Sequence, residues 1–249
     1  AGKPALWLAM ATTTPRVGRA RISRLVYAPE CDTELATAGD SATTALARAA
    51  GEGDIERVSK LLDDGADVNA PLPRGSCVAL HFAAAEGRAP MVKLLLERGA
   101  KANVASMKQK ETPLDLAARY GHADATRRLL EGGADTSLVD VGGRSPLWKA
   151  SQCGNCEAVR ALLDHEVDVN RTNAGGSTPL ITACQNGHVD VAQLLIEKDA
   201  DVSQADAEGS APLLSACWNG HVDVARLLLK KGADINQVRH TGVSPLWIA

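Results

Sequence analysis

A leucine returns every 33 or 34 residues along most of this chain, and no other feature limits its fold as tightly. The positions are Leu46, Leu80, Leu114, Leu147, Leu180, Leu213 and Leu246, separated by 34, 34, 33, 33, 33 and 33 residues. Seven residues after each of the first six stands a glycine: Gly53, Gly87, Gly121, Gly154, Gly187 and Gly220. Aliphatic pairs such as Leu61-Leu62, Leu95-Leu96, Leu129-Leu130 and Leu162-Leu163 follow at plus fifteen and sixteen, then Gly65, Gly99, Gly133 and Gly232 at plus nineteen. Self-similarity at such a period marks a linear array of stacked units rather than one globule. A unit this short cannot bury its apolar face alone, so neighbours must supply the core.

Each unit reads as two helices. Thr112-Pro113, Ser145-Pro146, Thr178-Pro179 and Ser244-Pro245 pair an N-cap hydroxyl with proline at the first helical position. Helix one runs to the glycine at plus seven. Helix two carries the leucine stripe and stops at a glycine in the left-handed conformation. Ala66-Asp67-Val68-Asn69 is then short, polar at alternate positions and turn-forming.

This combination resembles the ankyrin-repeat family. The sixth unit carries the likeness best, with Gly-His-Val-Asp-Val-Ala over 220–225, Leu227-Leu228-Leu229 and Gly232-Ala233-Asp234-Ile235-Asn236. The resemblance implies an all-α solenoid of paired antiparallel helices, whose hairpin tips and inner helices line a concave groove. Six complete units are expected at 39–72, 73–106, 107–139, 140–172, 173–205 and 206–238, with a truncated seventh at 239–249. The first unit has Ala45 in place of proline, as an N-terminal cap or diverged repeat would. Units one and two hold an extra residue after Asn69 and Asn103, so their tips should be longer. Glu166 and Asp199 replace the glycine at the second helix stop, so units four and five should end less cleanly. No polar cap closes the array at Ala249, which implies further chain or a covering partner at that end.

Residues 1–38 are of another kind: an extended or disordered arm, a targeting remnant or a docking segment. Lys3, Arg16, Arg19, Arg21 and Arg24 precede the first acidic residue, Glu30. Arg-rich, acid-poor, hydroxylated segments carry an organelle-targeting signature, and Leu6, Trp7 and Leu8 would serve a docking arm as its apolar anchor.

Lysine plus arginine number 27 against 30 aspartates and glutamates, a net charge of −3 that argues against nucleic acid as partner. No apolar run approaches a membrane span. The six cysteines are too sparse for a small secreted disulfide framework, so the thiols are expected reduced and the protein intracellular, cytoplasmic first, with plastid or mitochondrion as the alternative. Cys153-Gly154-Asn155-Cys156 is a C-x-x-C, but Gly154 is the repeat's own glycine, so the motif straddles a helix break and reads as structural. Cys184 and Cys217 share one small-residue packing slot. His122, His188 and His221 each follow the glycine at plus seven and read as local bonds to neighbouring backbone rather than as metal ligands. No phosphate-binding loop, nucleophile elbow or zinc-protease signature occurs. Neither enzymatic activity nor a cofactor or metal is expected.

Binding residues then belong at positions that stacking leaves free. By resemblance these are the tips and the two residues before the glycine at plus seven. They are Lys108, Gln109, Glu111, Arg119 and Tyr120 in unit three, and Arg144, Gln152 and Cys153 in unit four. Unit five offers Ser177, Gln185 and Asn186, and unit six Glu208, Ser210, Trp218 and Asn219. Trp218 is the sharpest signal in a chain with only seven aromatics. Trp148 and Trp247, one residue after the repeat leucine where His81 stands in unit two, are expected to pack between repeats. The expected function is a non-catalytic protein–protein interaction module, with Lys108, Arg119 and Arg144 favouring an acidic and apolar partner segment. The alternative is an architectural accessory subunit of a large multi-protein assembly, organellar if the arm is a targeting remnant, anchored through that N-terminal arm.

Overall fold

A computed structural model describes residues 41–72 and 77–245. The arm, with Leu6, Trp7 and Leu8, lies outside the described residues, as do Trp247 and the end of the seventh unit.

Among the described residues the chain is all-helical, twelve helices and no strand. They pair as α1 (Ala42–Glu52) with α2 (Ile55–Asp63), α3 (Ala79–Ala85) with α4 (Ala89–Glu97), and α5 (Pro113–Tyr120) with α6 (Ala123–Glu131). The later pairs are α7 (Pro146–Cys153) with α8 (Cys156–Leu163), α9 (Pro179–Gln185) with α10 (Val189–Glu197), and α11 (Pro212–Trp218) with α12 (Val222–Lys230). The odd-numbered helices pack one on the next as an inner layer, and the outer helices from α4 onward do the same. The repeat leucines Leu46, Leu80, Leu114, Leu147, Leu180 and Leu213 are each at most 2% exposed and form the spine of one continuous core. Each contributes about 1.5–3 kcal/mol by leaving water.

Thr112, Ser145 and Thr178 cap α5, α7 and α9 through their hydroxyls, with proline in the first turn. α1 starts earlier, capped by Ser41, and its 11 residues exceed the seven or eight of the other inner helices.

The tips differ as the repeat arithmetic predicts. In units four to six and the start of the seventh, a backbone N–H reaches the carbonyl four residues on, as Asp140 to Arg144 and Asn173 to Ser177 do. In the two earlier tips the same bond spans five residues, Leu72 to Cys77 and Ser106 to Glu111, and Lys110 takes a positive φ of 55° to absorb the extra residue. Successive tips are joined by Val141 to Gln109, Ala174 to Gly142, Ala207 to Gly175 and His240 to Glu208 backbone bonds.

The two helix stops without glycine part company. Asp199 adopts the left-handed conformation (φ 64°) and keeps the closing pair of bonds, Asp199 N–H to Ile196 and Ala200 N–H to Leu195. Glu166 does not enter that region, and α8 ends instead on Asp164 N–H to Arg160 and His165 N–H to Leu162. The untidy ending is therefore confined to unit four.

Cys77 is wholly buried and disulfide-bonded, which corrects the expectation of reduced thiols throughout. Spacing along a chain says little about which thiols meet, because disulfide geometry is a condition on three-dimensional distance. Cys153, Cys156, Cys184 and Cys217 are free.

Candidate functional site

In units two to six the residue after the plus-seven glycine holds the repeats together. His122 Nε2 lies 2.9 Å from the Ala85 carbonyl, His188 Nε2 3.0 Å from Gln152 and His221 Nε2 3.1 Å from Gln185. Arg88 donates to Gly51, and Asn155 to Ala118 and Arg119, in the same way. These bonds reach back 36–37 residues, so the expectation of a local role for the imidazoles is corrected: they clamp the preceding repeat. The glycine is needed because the clamp lies on it. A Cβ on Gly87 would come within 2.4 Å of the His122 ring, in a backbone already at φ +67°.

A second ladder runs along the other end of the units. Asn69 donates to Gly99 and accepts from Lys101, and Asn103 donates to Gly133 and accepts from Asp135. Asn170 donates to Asp199 and accepts from Asp201. The Asn170 side chain is thus engaged on both its amide atoms by the next repeat.

The expected groove residues stand at the ends of the inner helices, and the clamps fix that backbone in α5, α7 and α9. Gln152, Cys153, Gln185, Asn186, Trp218 and Asn219 are exposed there, with Trp218 at 59%. Arg119 and Tyr120 are half-buried, Tyr120 lying against the small apolar cluster of Phe82, Ala85 and Leu116. At the tips Lys108, Gln109 and Glu208 are exposed, while Arg144, Ser177 and Ser210 are partly covered. Gln185, Glu208, Trp218 and Asn219 converge on a cleft of about 200 Å³, together with Asp206, Ser210, Leu214, Ser215 and Arg239.

Glu111 is corrected. It is not a surface contact but a buried member of an ion network that sequence reading missed. Lys149, 1% exposed along its side chain, lies 3.2 Å from Glu111 Oε1, 3.1 Å from Asp115 Oδ1 and 3.2 Å from Asp140 Oδ2. Arg119 pairs with Glu111, and Arg144 Nε with Asp140 Oδ2 at 2.8 Å. Three cations balance three carboxylates, so Arg119 and Arg144 present no surplus positive charge, and of the three cations behind the acidic-partner expectation only Lys108 stands outside the network. Burial pushes the Asp115 carboxyl above its usual range, against the pull of Lys149, and burial likewise lowers Lys149. At Asp140 burial is outweighed by the Arg144 backbone N–H and the charges of Lys149 and Arg144, and the carboxyl sits low.

Trp148 occupies the slot of His81. The imidazole there accepts the Val78 N–H and reaches the Glu111 carbonyl of the next unit at 3.2 Å. Trp148 is buried with its indole N–H unpaired and Arg144 stacked 5.9 Å above the ring. Burial of the ring beneath Arg144 replaces the hydrogen bond at this slot.

The C-x-x-C straddles a helix break, with α7 ending at Cys153, Gly154 left-handed and α8 opening at Cys156. Desolvation raises the thiol pKa of both cysteines, and burial also raises those of Cys184 and Cys217. No cluster of three or more His, Cys, Asp or Glu side chains suited to a metal occurs among the described residues. Among the same residues no helix is long and apolar enough to cross a membrane.

The family model described as "Ankyrin repeats (3 copies)" matches residues 16–106, 80–173 and 170–239. The human ASB11 ankyrin repeat domain is 30% identical, with a TM-score of 0.75 over 82% of this chain and 90% of that one. The ankyrin repeat domain of Bcl-3, described as a unique member of the IkappaB protein family, is 26% identical. Its TM-score is 0.74, over 85% of this chain and 95% of its own. No curated protein sequence matches significantly.

Proposed function

The chain belongs to the ankyrin-repeat family, whose members are in general protein–protein interaction modules, and on that premise we propose that it holds a segment of a partner protein in its concave groove without acting on it chemically. The observation that carries this reading is the row of exposed side chains at the ends of α7, α9 and α11. Gln152, Gln185 and Asn186 project from backbone pinned by the clamps of the following repeat, and Trp218 and Asn219 stand at the equivalent end of α11. Pre-organised backbone lowers the ordering cost of binding. A large aromatic at 59% exposure is the kind of residue that dominates interface energetics.

Cross-linking mass spectrometry on the protein in its native extract tests the reading, beside a Trp218→Ala/Gln152→Ala variant. Arg119 is left intact because it neutralises Glu111. A partner cross-linked at units three to six, and weakened about 30-fold or more by the double change, supports the groove. Partners cross-linked through residues 1–40 and indifferent to it would show an assembly subunit instead.

A further inference from the structure

The repeats share one geometry, so register-equivalent positions are a single scaffold carrying different side chains. Asp140 and Asp206 are such a pair, each seven residues before its repeat leucine. Each folds its tip by accepting two backbone N–H groups on Oδ1, from Gly142 and Arg144 at Asp140 and from Glu208 and Ser210 at Asp206. At Asp140 the second oxygen meets Arg144 Nε at 2.8 Å and Lys149 Nζ at 3.2 Å. At Asp206 both cations have become serines: Ser210 stands where Arg144 does, and Ser215 where Lys149 does.

The loss of that long side chain coincides with the cleft of about 200 Å³. Ser215, 5% exposed, lines it, and its Oγ has no hydrogen-bond partner. Asp206 lines it too, and no ion pair reaches that carboxylate among the described residues. Glu208, bridged to Arg239, adds a second carboxylate against one guanidinium, leaving the lining negative. Trp218 offers an exposed indole at the same place.

We propose that this cleft receives a lysine side chain from the partner segment. Its ammonium takes the place in units five and six that Lys149 fills in units three and four. The ammonium meets the Asp206 carboxylate and Ser215 Oγ, and the aliphatic stem lies along Trp218, where apolar contact and the ring's negative face both favour it. Lysine fits better than arginine. Asp206 offers one uncommitted oxygen, which suits a compact point charge, whereas a guanidinium fork asks for two parallel acceptors. The inference rests on the groove-binding reading and supplies the chemistry of its ligand, basic where the sequence alone had suggested acidic.

The test uses the whole chain and two probes, acetyl-Gly-Gly-Lys-Gly-Gly-amide and the same peptide carrying Nε-acetyl-lysine. The readout is the indole N–H cross-peak of Trp218 in ¹H–¹⁵N spectra, identified by its loss in Trp218→Ala. A saturable shift is expected with the lysine peptide and not with the acetylated one. Asp206→Asn should weaken it about two- to fivefold, the scale of a part-exposed ion pair. Ser215→Lys, whose ammonium fills the cleft from within, should abolish it while leaving the circular dichroism unchanged. Equal shifts with both peptides, or a shift that survives both substitutions, would overturn the proposal. So would a native partner that still cross-links to the groove of the Ser215→Lys chain, and that result would leave groove binding itself standing.

Discussion

Replacing Lys149 by methionine should be one of the most damaging single changes in the molecule, for reasons the geometry makes quantitative. The ammonium sits 1% exposed among three carboxylates at 3.1–3.2 Å. Glu111 keeps Arg119 and Asp140 keeps Arg144 when it is removed. Asp115 keeps no cation: it is fully buried, and its Oδ1 faces Lys149 without any hydrogen bond. A pair at this separation attracts by about 5 kcal/mol at an effective dielectric near 20, and orphaning one partner of a buried pair costs about 3–5 kcal/mol. Equilibrium urea unfolding at pH 7, followed by circular dichroism and tryptophan fluorescence, should show a loss of that size.

The pH dependence gives the sharper check. Asp115 already has a raised folded-state pKa because burial disfavours its charge, and without Lys149 it must rise further. A carboxyl whose folded pKa exceeds its unfolded value binds more protons in the folded state, so stability falls as pH climbs from the ordinary carboxylate range to the folded pKa. The limiting slope is about 1.4 kcal/mol per pH unit. The deficit of Lys149→Met should therefore shrink between pH 7 and pH 5. Adding Asp115→Asn, which can still accept from Thr112 N–H as Asp115 Oδ2 does at 2.9 Å, should recover most of the loss. A deficit below about 1 kcal/mol, one that ignores pH, or a double change costing the sum of the two would refute the account of an orphaned charge.

Three further outcomes follow from the same geometry. Asp199→Gly should stabilise the chain by about 1 kcal/mol, because Asp199 holds φ 64° at a helix stop; unchanged urea midpoints would contradict this. His122→Ala should cost about 1–2 kcal/mol through the bond to Ala85, and hydrogen exchange should quicken on the α3 side of that interface as well as at α6. Cys153 and Cys156 should react slowly with iodoacetamide at pH 7 and faster as pH rises, since desolvation holds both thiols above their usual pKa. Rapid alkylation of either at neutral pH would reopen a redox role for the pair.

The repeat period alone placed the inner and outer helices and the buried leucine spine, because those depend on spacing within some 33 residues. It also located the two longer tips and the two helix stops that lack glycine, Glu166 and Asp199. A displaced loop residue or a missing glycine acts on the backbone nearby, where sequence is informative. What each departure does was settled by the surroundings: Asp199 accepts the left-handed backbone, whereas Glu166 avoids it.

The ion network and the inter-repeat clamps belong to the tertiary structure. Glu111 and Lys149 are 38 residues apart, and His122 and Ala85 are 37 apart, so the partners meet only when units stack. In the sequence Lys149 reads as an ordinary surface lysine. The available signal was its register: in units two, three, five and six the equivalent positions hold Phe82, Leu116, Thr182 and Ser215, all buried. A charge in a buried slot demands opposite charges from the neighbouring units, and Glu111, Asp115 and Asp140 provide them. Whether a groove cation is free to meet a ligand or is neutralised from below depends on side chains one repeat away. Stacking makes those contacts, and local pattern cannot encode them.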